Sequence, residues 1–150
     1  MERGADPGRT KGWLLDTNVV SELRKDRPDP NVRLWSEARS ADSLFLSEVT
    51  IAEIRYGIQR CGQDALRDEL EIWLTRTLRP WFAGRILPVD EDVWLAWRRL
   101  VDRGKERGIV FSQPDLVIAA TAEVNGLVMC TRNESDFART GVPVFNPWSA

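Results

Sequence analysis

WLLDTN, residues 13–18, places three large apolar residues directly before a carboxylate. Such a short apolar run predicts a buried strand, here ending at Asp16. Working outward along the chain, further short apolar runs predict four more strands, over residues 43–47, 85–89, 127–131 and 144–145. Helical patterns separate these runs, and the alternation predicts an α/β domain with a mostly parallel sheet.

Two of the intervening segments carry helix-start signals. Asp29-Pro30 predicts an N-cap and a first turn for a helix that runs to about residue 39. Thr50-Ile51-Ala52-Glu53 has the pattern of a capping box, in which the Thr side chain caps the helix and the Glu side chain reaches back to it. We therefore expect the next helix to start at Thr50 and to end at Cys61.

The remaining helices are indicated by apolar spacing and by their end residues. Apolar residues three and four positions apart predict amphipathic helices over residues 66–78 and 93–101. Ser112 predicts the N-cap of a further helix, and Gly126 predicts its C-terminal stop. A short helix is expected to begin near Asn133.

Length and composition limit the domain organisation. A chain of 150 residues fits one domain, which we expect over residues 13–150, with residues 1–12 as a flexible leader of Gly, Pro and charged residues. No apolar run approaches the ~20 residues that cross a bilayer, and the run after residue 12 is too short for a signal-peptide core. The sequence therefore predicts a cytoplasmic protein without a membrane partner.

Charge and residue usage exclude some function classes. The net charge of −2 gives the chain no overall basic character. That counts against a histone-like nucleic-acid binder, but not against an enzyme with a few local arginines. Histidine is absent, so Ser-His-Asp triads, ribonuclease-A-like cleavage and His-ligated zinc are excluded within this chain.

Four acidic residues lie after predicted strands or in the first turns of predicted helices, which is where α/β sheets form their sites. Asp16 ends the first strand, and Glu53 lies in the helix after the second. Asp115 lies three residues after Ser112, and Asp136 comes shortly after the fourth strand. We predict that this fold brings all four carboxylates to one edge of the sheet.

Helix capping is the alternative explanation for each acid taken singly. The spacings Thr50-x-x-Glu53, Ser112-x-x-Asp115 and Asn133-x-x-Asp136 all resemble capping boxes. Capping gives no reason for four acids to converge, however. Two carboxylates ~4 Å apart repel by about 4 kcal/mol at an effective dielectric of about 20, so a converged cluster needs a neutralising cation.

The ligand set indicates the metal. Carboxylate oxygens without His or Cys suit Mg²⁺ or Mn²⁺ rather than Zn²⁺. Such ions act as Lewis acids and lower the pKa of a water molecule that they bind. The predicted reaction is hydrolysis of a phosphodiester by metal-activated water, and these residues alone leave RNA and DNA both open as substrates.

Four motifs, in order, resemble those of PIN-domain proteins, and their spacing is similar to that of VapC-type toxins from type II toxin–antitoxin pairs. They are LLDTNVVSEL at residues 14–23, VTIAEIRYG at 49–57, PDLVIAATA at 114–122 and TRNESDF at 131–137. The resemblance implies a five-stranded, mostly parallel sheet sandwiched by helices, dependence on Mg²⁺ or Mn²⁺, and a homodimer. It also implies an RNA substrate and a small cognate antitoxin as partner.

The resemblance also implies roles for individual residues. Asp16, Glu53 and Asp115 match the three principal metal-binding acids of the family, and Asp136 matches a fourth, more variable one. By the same resemblance, polar residues that support the site are Thr17, Asn18 and Asn133.

Two arginines are candidates for contacts with substrate or antitoxin. Arg55 lies about 200° around the helix from Glu53, so the two side chains should diverge, and a solvated surface charge is the alternative. Arg132 follows the fourth strand, where it could meet a substrate phosphate. Two other functions stay open: a PIN nuclease that processes RNA or cleaves DNA, and a non-catalytic RNA- or protein-binding scaffold whose acids are helix caps.

Overall fold

A five-stranded parallel sheet forms the centre of the computed structural model, which describes residues 11–150. The strand order is β3-β2-β1-β4-β5, and all four neighbouring pairs are parallel. The predicted α/β class and parallel sheet are therefore confirmed. The strands are β1 (Trp13–Leu15), β2 (Leu44–Ser47), β3 (Ile86–Leu87), β4 (Val128–Cys130) and β5 (Val144–Phe145).

Helices connect the strands and cover both faces of the sheet. None of the helices within residues 11–150 is long and apolar enough to cross a membrane. The helices are α1 (Thr17–Arg24), α2 (Pro30–Glu37), α3 (Glu48–Gln59), α4 (Asp64–Trp73), α5 (Arg79–Trp81), α6 (Glu91–Glu106), α7 (Gln113–Asn125) and α8 (Glu134–Ala138).

The alternation of side chains along β1 shows how the core divides. Trp13 and Leu15 pack into one cluster with residues of α1 to α4, whereas Leu14 packs into the other with residues of α6 and α7. Residues 116–122 of α7 are all buried, which explains why this helix is apolar on every side. Layers of helices on both faces account for the continuous apolar character of the strands.

The first helix was not predicted, because its N-cap is the same residue that we assigned to chemistry. Asp16 accepts a hydrogen bond from the Thr17 backbone N–H at 2.8 Å and so starts α1. The strand therefore passes into a helix without a loop. The predicted N-cap Asp29 is confirmed, since its carboxylate accepts from the backbone N–H groups of Asn31 and Val32.

The capping box predicted at Thr50 and Glu53 is wrong. Helix α3 begins at Glu48, and its N-cap is Ser47, whose hydroxyl accepts from the Val49 N–H at 3.0 Å. Thr50 is instead fully buried inside the helix. Ser47 is both the last residue of β2 and the N-cap, so no loop residue marks the start of the helix. Glu53 consequently lies in the second turn, beyond the reach of a capping interaction.

The helix predicted over residues 66–78 is interrupted near its end. After α4, the chain forms a π-helical segment over Leu74–Leu78 before α5. Pro80 follows this segment. A proline ring in a regular α-helix collides with the carbonyl group four residues earlier, so widening the preceding turn accommodates it.

The predicted leader lies mostly outside the described residues, since residues 1–10 are not among them. Gly12, which we counted with the leader, is buried, and its carbonyl accepts a hydrogen bond from the Val128 N–H at 3.1 Å. Gly12 therefore belongs with the folded domain.

Two glycines inside helices should respond in opposite ways to alanine. In Gly104→Ala, the new Cβ would lie 2.7 Å from the Phe111 ring and 3.1 Å from the Ile109 carbonyl oxygen, so we expect a loss of about 1–3 kcal/mol in unfolding free energy. Gly57→Ala meets nothing within 4 Å and should gain up to about 1 kcal/mol from helix propensity. Urea denaturation measures both, and a stabilised Gly104→Ala variant would contradict the packing at Phe111.

Candidate active site

The parallel pairing of β1 with β4 places the ends of these strands side by side. Leu15 is in register with Cys130, so the residues that follow, Asp16 and Thr131, are neighbours. The Thr131 hydroxyl donates a hydrogen bond to Asp16 Oδ2 at 2.8 Å, and both side chains are buried. The Asp16 carboxylate is therefore fixed in position at the carboxyl edge of the sheet.

Asn18 and Asn133 extend this hydrogen-bonded network. Asn18 Nδ2 lies 3.3 Å from both Asp16 Oδ2 and Thr131 Oγ1, and Asn18 Oδ1 accepts from the Arg132 N–H. The Asn133 N–H donates to Thr131 Oγ1 at 3.0 Å. The predicted supporting residues Asn18 and Asn133 thus hold together the segments that follow the two strands.

Thr131 is the residue at the centre of this network, and our prediction of site residues missed it. It is the first residue of the fourth motif. Thr131 directly follows β4, just as Asp16 directly follows β1. This shared position was the feature of the sequence that could have indicated a contact between them. A sequence does not state strand register, however, so the contact could not be derived before the sheet order was known.

The four acids are electrostatically coupled. Burial raises the pKa of Asp16, and hydrogen bonds from Thr131 and Thr17 oppose this effect in part. Partial desolvation of the Glu53 carboxylate raises its pKa, and the negative charges of Asp16 and Asp115 raise it further. For Asp115, burial again raises the pKa most, followed by the charges of Asp16 and Asp136. The charge of Asp16 thus acts on both Glu53 and Asp115, and Asp115 and Asp136 also line one pocket, so the fold brings all four acids to one region.

The coupled acids do not form a closed ligand shell. Within residues 11–150, no three Asp, Glu or Cys side chains converge closely enough to hold a metal ion as they stand. Asp16 is buried, whereas Glu53 and Asp136 are exposed and Asp115 is half-buried. Their assignment as ligands stays a prediction, and it requires the exposed side chains to turn toward Asp16.

Capping accounts for only one of the four acids. Asp16 does cap α1. Ser112 and Asn133 occupy the N-cap positions of α7 and α8, but neither side chain makes a capping hydrogen bond. Since Glu53 lies in the second turn of α3, neither the predicted capping box nor the two other spacings that resemble one form capping boxes.

The side chains of the two predicted arginines have other neighbours than the four acids. Arg55 lines a groove with Glu71 and Arg79 on the outer side of α3, a groove that includes none of the four acids. This agrees with the expected divergence from Glu53. The guanidinium group of Arg132 lies over the Trp148 ring, 5.1 Å from its centroid. These positions assign neither arginine to the site. A contact of Arg55 or Arg132 with substrate or antitoxin stays a prediction.

Comparison with known proteins settles the family. The family model described as PIN domain matches residues 13–143. The chain belongs to the PIN-domain family. The match includes the network around Asp16 and all four acids, so the coupled carboxylates lie inside the PIN domain.

Individual PIN-domain proteins resemble the chain over nearly its whole length. The VapC ribonuclease Y4jK of Sinorhizobium fredii is 38% identical over 135 residues, covering 90% of this chain and 96% of the relative. Toxin FitB of Neisseria gonorrhoeae is 36% identical, covering 90% and 97%. The crystal structure of FitAcB from that organism matches with a TM-score of 0.86 and 36% identity, covering 92% of this chain and 99% of the other.

A more distant solved structure shares the same fold. It is described as VapBC-5 from Mycobacterium tuberculosis, a member of the VapBC family of toxin–antitoxin systems. The TM-score is 0.65 at 28% identity, and the match covers 91% of this chain and 97% of the other.

The Thr131 hydroxyl should matter for stability because it is a buried donor to a carboxylate. In Thr131→Val, Asp16 loses this donor, and we expect a loss of about 1–3 kcal/mol in unfolding free energy. Thr131→Ser keeps the hydroxyl and serves as the matched control. Urea denaturation near pH 8, where the carboxylate is ionised, measures the difference. Equal stability of the Val and Ser variants would show that the hydrogen bond contributes nothing.

Proposed function

We propose that this chain is a metal-dependent endoribonuclease that hydrolyses RNA phosphodiesters, and that it is the toxin component of a toxin–antitoxin pair. The observation that carries the chemistry is the gathering of acids at the carboxyl edge of the sheet, where the charge of Asp16 raises the pKa of Glu53 and Asp115, and Asp115 and Asp136 line one pocket. RNA as the substrate is supported by a relative named VapC ribonuclease. The toxin role is supported by a relative named toxin FitB. An RNA-cleaving toxin would act in the cytoplasm, where its substrate is.

The residues present fit a hard divalent cation. All four acids offer oxygen atoms, and the cost of keeping them charged near one another is what a cation would remove. Thr17 Oγ1 adds a further observation, because it is buried and has no hydrogen-bond partner among the described residues. An oxygen-rich site with an unsatisfied hydroxyl beside Asp16 favours Mg²⁺ or Mn²⁺.

We assign the roles as follows. Asp16, Glu53 and Asp115 would hold the cation, with Asp136 as a fourth acid beside Asp115. Thr131, Asn18 and Asn133 would act as positioning residues, since they fix the Asp16 carboxylate. When bound, the ion would supply Lewis-acid chemistry to the phosphodiester and its attacking water.

Two apolar surfaces support the proposed protein partners. A groove of about 400 Å³ between α1, α2 and the α4–α5 region is lined by Leu23, Trp73 and Trp81, and Trp81 is 55% exposed. We assign this groove to the antitoxin. An open apolar depression between α3, α6 and α7 is lined by Tyr56 and Trp94, both at least half exposed, and supports a homodimer.

Charge-removing variants test the metal site directly. Glu53→Gln and Asp115→Asn should each abolish cleavage of single-stranded RNA, as should EDTA acting on the parent protein. In metal-free buffer, each variant should be at least as stable as the parent, because carboxylate repulsion is relieved. Added Mn²⁺ should then raise the melting temperature of the parent more than that of either variant. Single-stranded DNA of the same sequence tests the choice of RNA.

The pH dependence of the metal-free protein has a definite sign. A raised pKa means that the folded state holds protons at pH values where the unfolded chain has released them. The unfolding free energy of the metal-free parent, measured by urea denaturation, should therefore rise as the pH falls from neutral toward the ordinary carboxyl pKa of about 4. It should rise less in Glu53→Gln and Asp115→Asn, which each lack one of these acids.

The matched control is Asp68→Asn, which removes an exposed acid on α4 and should retain cleavage. If Glu53→Gln and Asp115→Asn keep both cleavage and the Mn²⁺-induced shift in melting temperature, the assignment of the metal site is wrong.

The toxin role predicts a partner that masks the nuclease. We expect the chain to co-purify with the product of a small neighbouring gene, and expect that complex to cleave less RNA than the free chain. Trp81→Glu should weaken this complex, because it places a charge in the apolar groove, while leaving cleavage by the free chain unchanged. Cleavage without any such partner would retain the nuclease and refute the toxin role.

A further inference from the structure

A small pocket lies beside the coupled acids and contains both signs of charge. It has a volume of about 170 Å³ and is lined by the segment before α7, the first turn of α7, and α8. Asp115 and Asp136 supply its negative charge, and Arg139 supplies its positive charge. This volume is below the roughly 300–1,000 Å³ typical of pockets for whole small molecules, so the pocket suits a group the size of a phosphate.

Arg139 has a free guanidinium group at this pocket. It lies three residues after Asp136 and is exposed, yet its side chain makes no ion pair with any acid among residues 11–150. Its backbone is held in place, because its carbonyl accepts from Arg107 Nη1 at 3.5 Å and its N–H donates to the Ser135 carbonyl. The side chain is therefore anchored at its base and available at its tip.

The arginines predicted from sequence do not occupy this position. Arg132 is stacked over Trp148, and Arg55 lines a groove with none of the four acids. Arg139, which the sequence did not single out, is the arginine that shares a pocket with Asp115 and Asp136.

We propose that Arg139 binds a phosphate group of the RNA strand next to the phosphodiester that is cleaved. This inference rests on the proposed function. Among residues 11–150, Arg139 is the one basic side chain that lines this pocket beside the two carboxylates, so its guanidinium group gives the strand a positively charged contact next to the acids. A guanidinium group can also donate two parallel hydrogen bonds to one phosphate, which orients the strand as well as attracting it.

Binding and cleavage measurements test this role. Binding is measured by fluorescence anisotropy of a labelled single-stranded RNA, using Glu53→Gln as a background that should not cleave, at an Mn²⁺ concentration that shifts the melting temperature of this variant. Adding Arg139→Gln should raise Kd about tenfold and reduce the slope of log K against log salt concentration by about 0.7. In the otherwise unchanged protein, Arg139→Gln should raise KM more than it lowers kcat.

Two control variants separate phosphate binding from a general loss of charge. Arg139→Lys keeps the charge but not the paired donors, and should recover part of the affinity. Arg27→Gln removes the same charge beyond the C-terminal end of α1, whose N-terminal end is at the site, and should change neither Kd nor the salt slope. Unchanged Kd and slope in Arg139→Gln would overturn this inference while leaving the nuclease in place. A parent protein that neither binds nor cleaves RNA would instead overturn the proposed function.

Discussion

The hydrogen bond from Thr131 to Asp16 joins two residues that are 115 positions apart in the sequence. It forms because β1 and β4 are parallel neighbours in exact register, so the residues just past their ends share one edge of the sheet. Asn18, Asn133 and the start of α1 all depend on this pair, since each bonds to Asp16 or to Thr131. The strand pairing therefore determines the geometry at the one acid of the cluster that is buried.

The placement of the other acids reflects a balance between stability and function. Partial desolvation and nearby negative charges raise the pKa of Glu53 and Asp115. Keeping both carboxylates ionised therefore lowers the stability of the folded chain. The two apolar clusters on opposite faces of the sheet can offset this cost, because they bury most of the large apolar side chains. An acid that caps a helix accepts backbone hydrogen bonds, which lower its pKa. No such hydrogen bond contributes to the pKa shift of Glu53 or Asp115, so capping does not compensate the cost of holding these two acids.

The sequence predicted those features that depend on local patterns. All five strands formed where short apolar runs occur, Asp29 caps α2, and Gly126 ends α7 in the left-handed region at φ 65°. The failures occurred where one residue has two roles. Asp16 ends a strand, caps a helix and belongs to the acid cluster, and Ser47 ends a strand and caps α3. Thr131 and Arg139 were missed for another reason, since their importance comes from neighbours that only the folded chain provides.

An acidic site on a chain of net charge −2 must still attract a polyanion. Long-range steering cannot supply this attraction, because it requires an excess of positive charge that the chain lacks. The attraction must therefore be local, and it has two sources. A divalent cation among the carboxylates would cancel part of their negative charge and bind phosphate oxygens, and its field would extend about a Debye length, roughly 8 Å at physiological salt. Arginines at the rim of the site would act over a similar distance but with fixed direction. A nuclease built in this way would engage RNA only after the cation is bound, so its cleavage would depend on cation concentration through substrate capture as well as through chemistry.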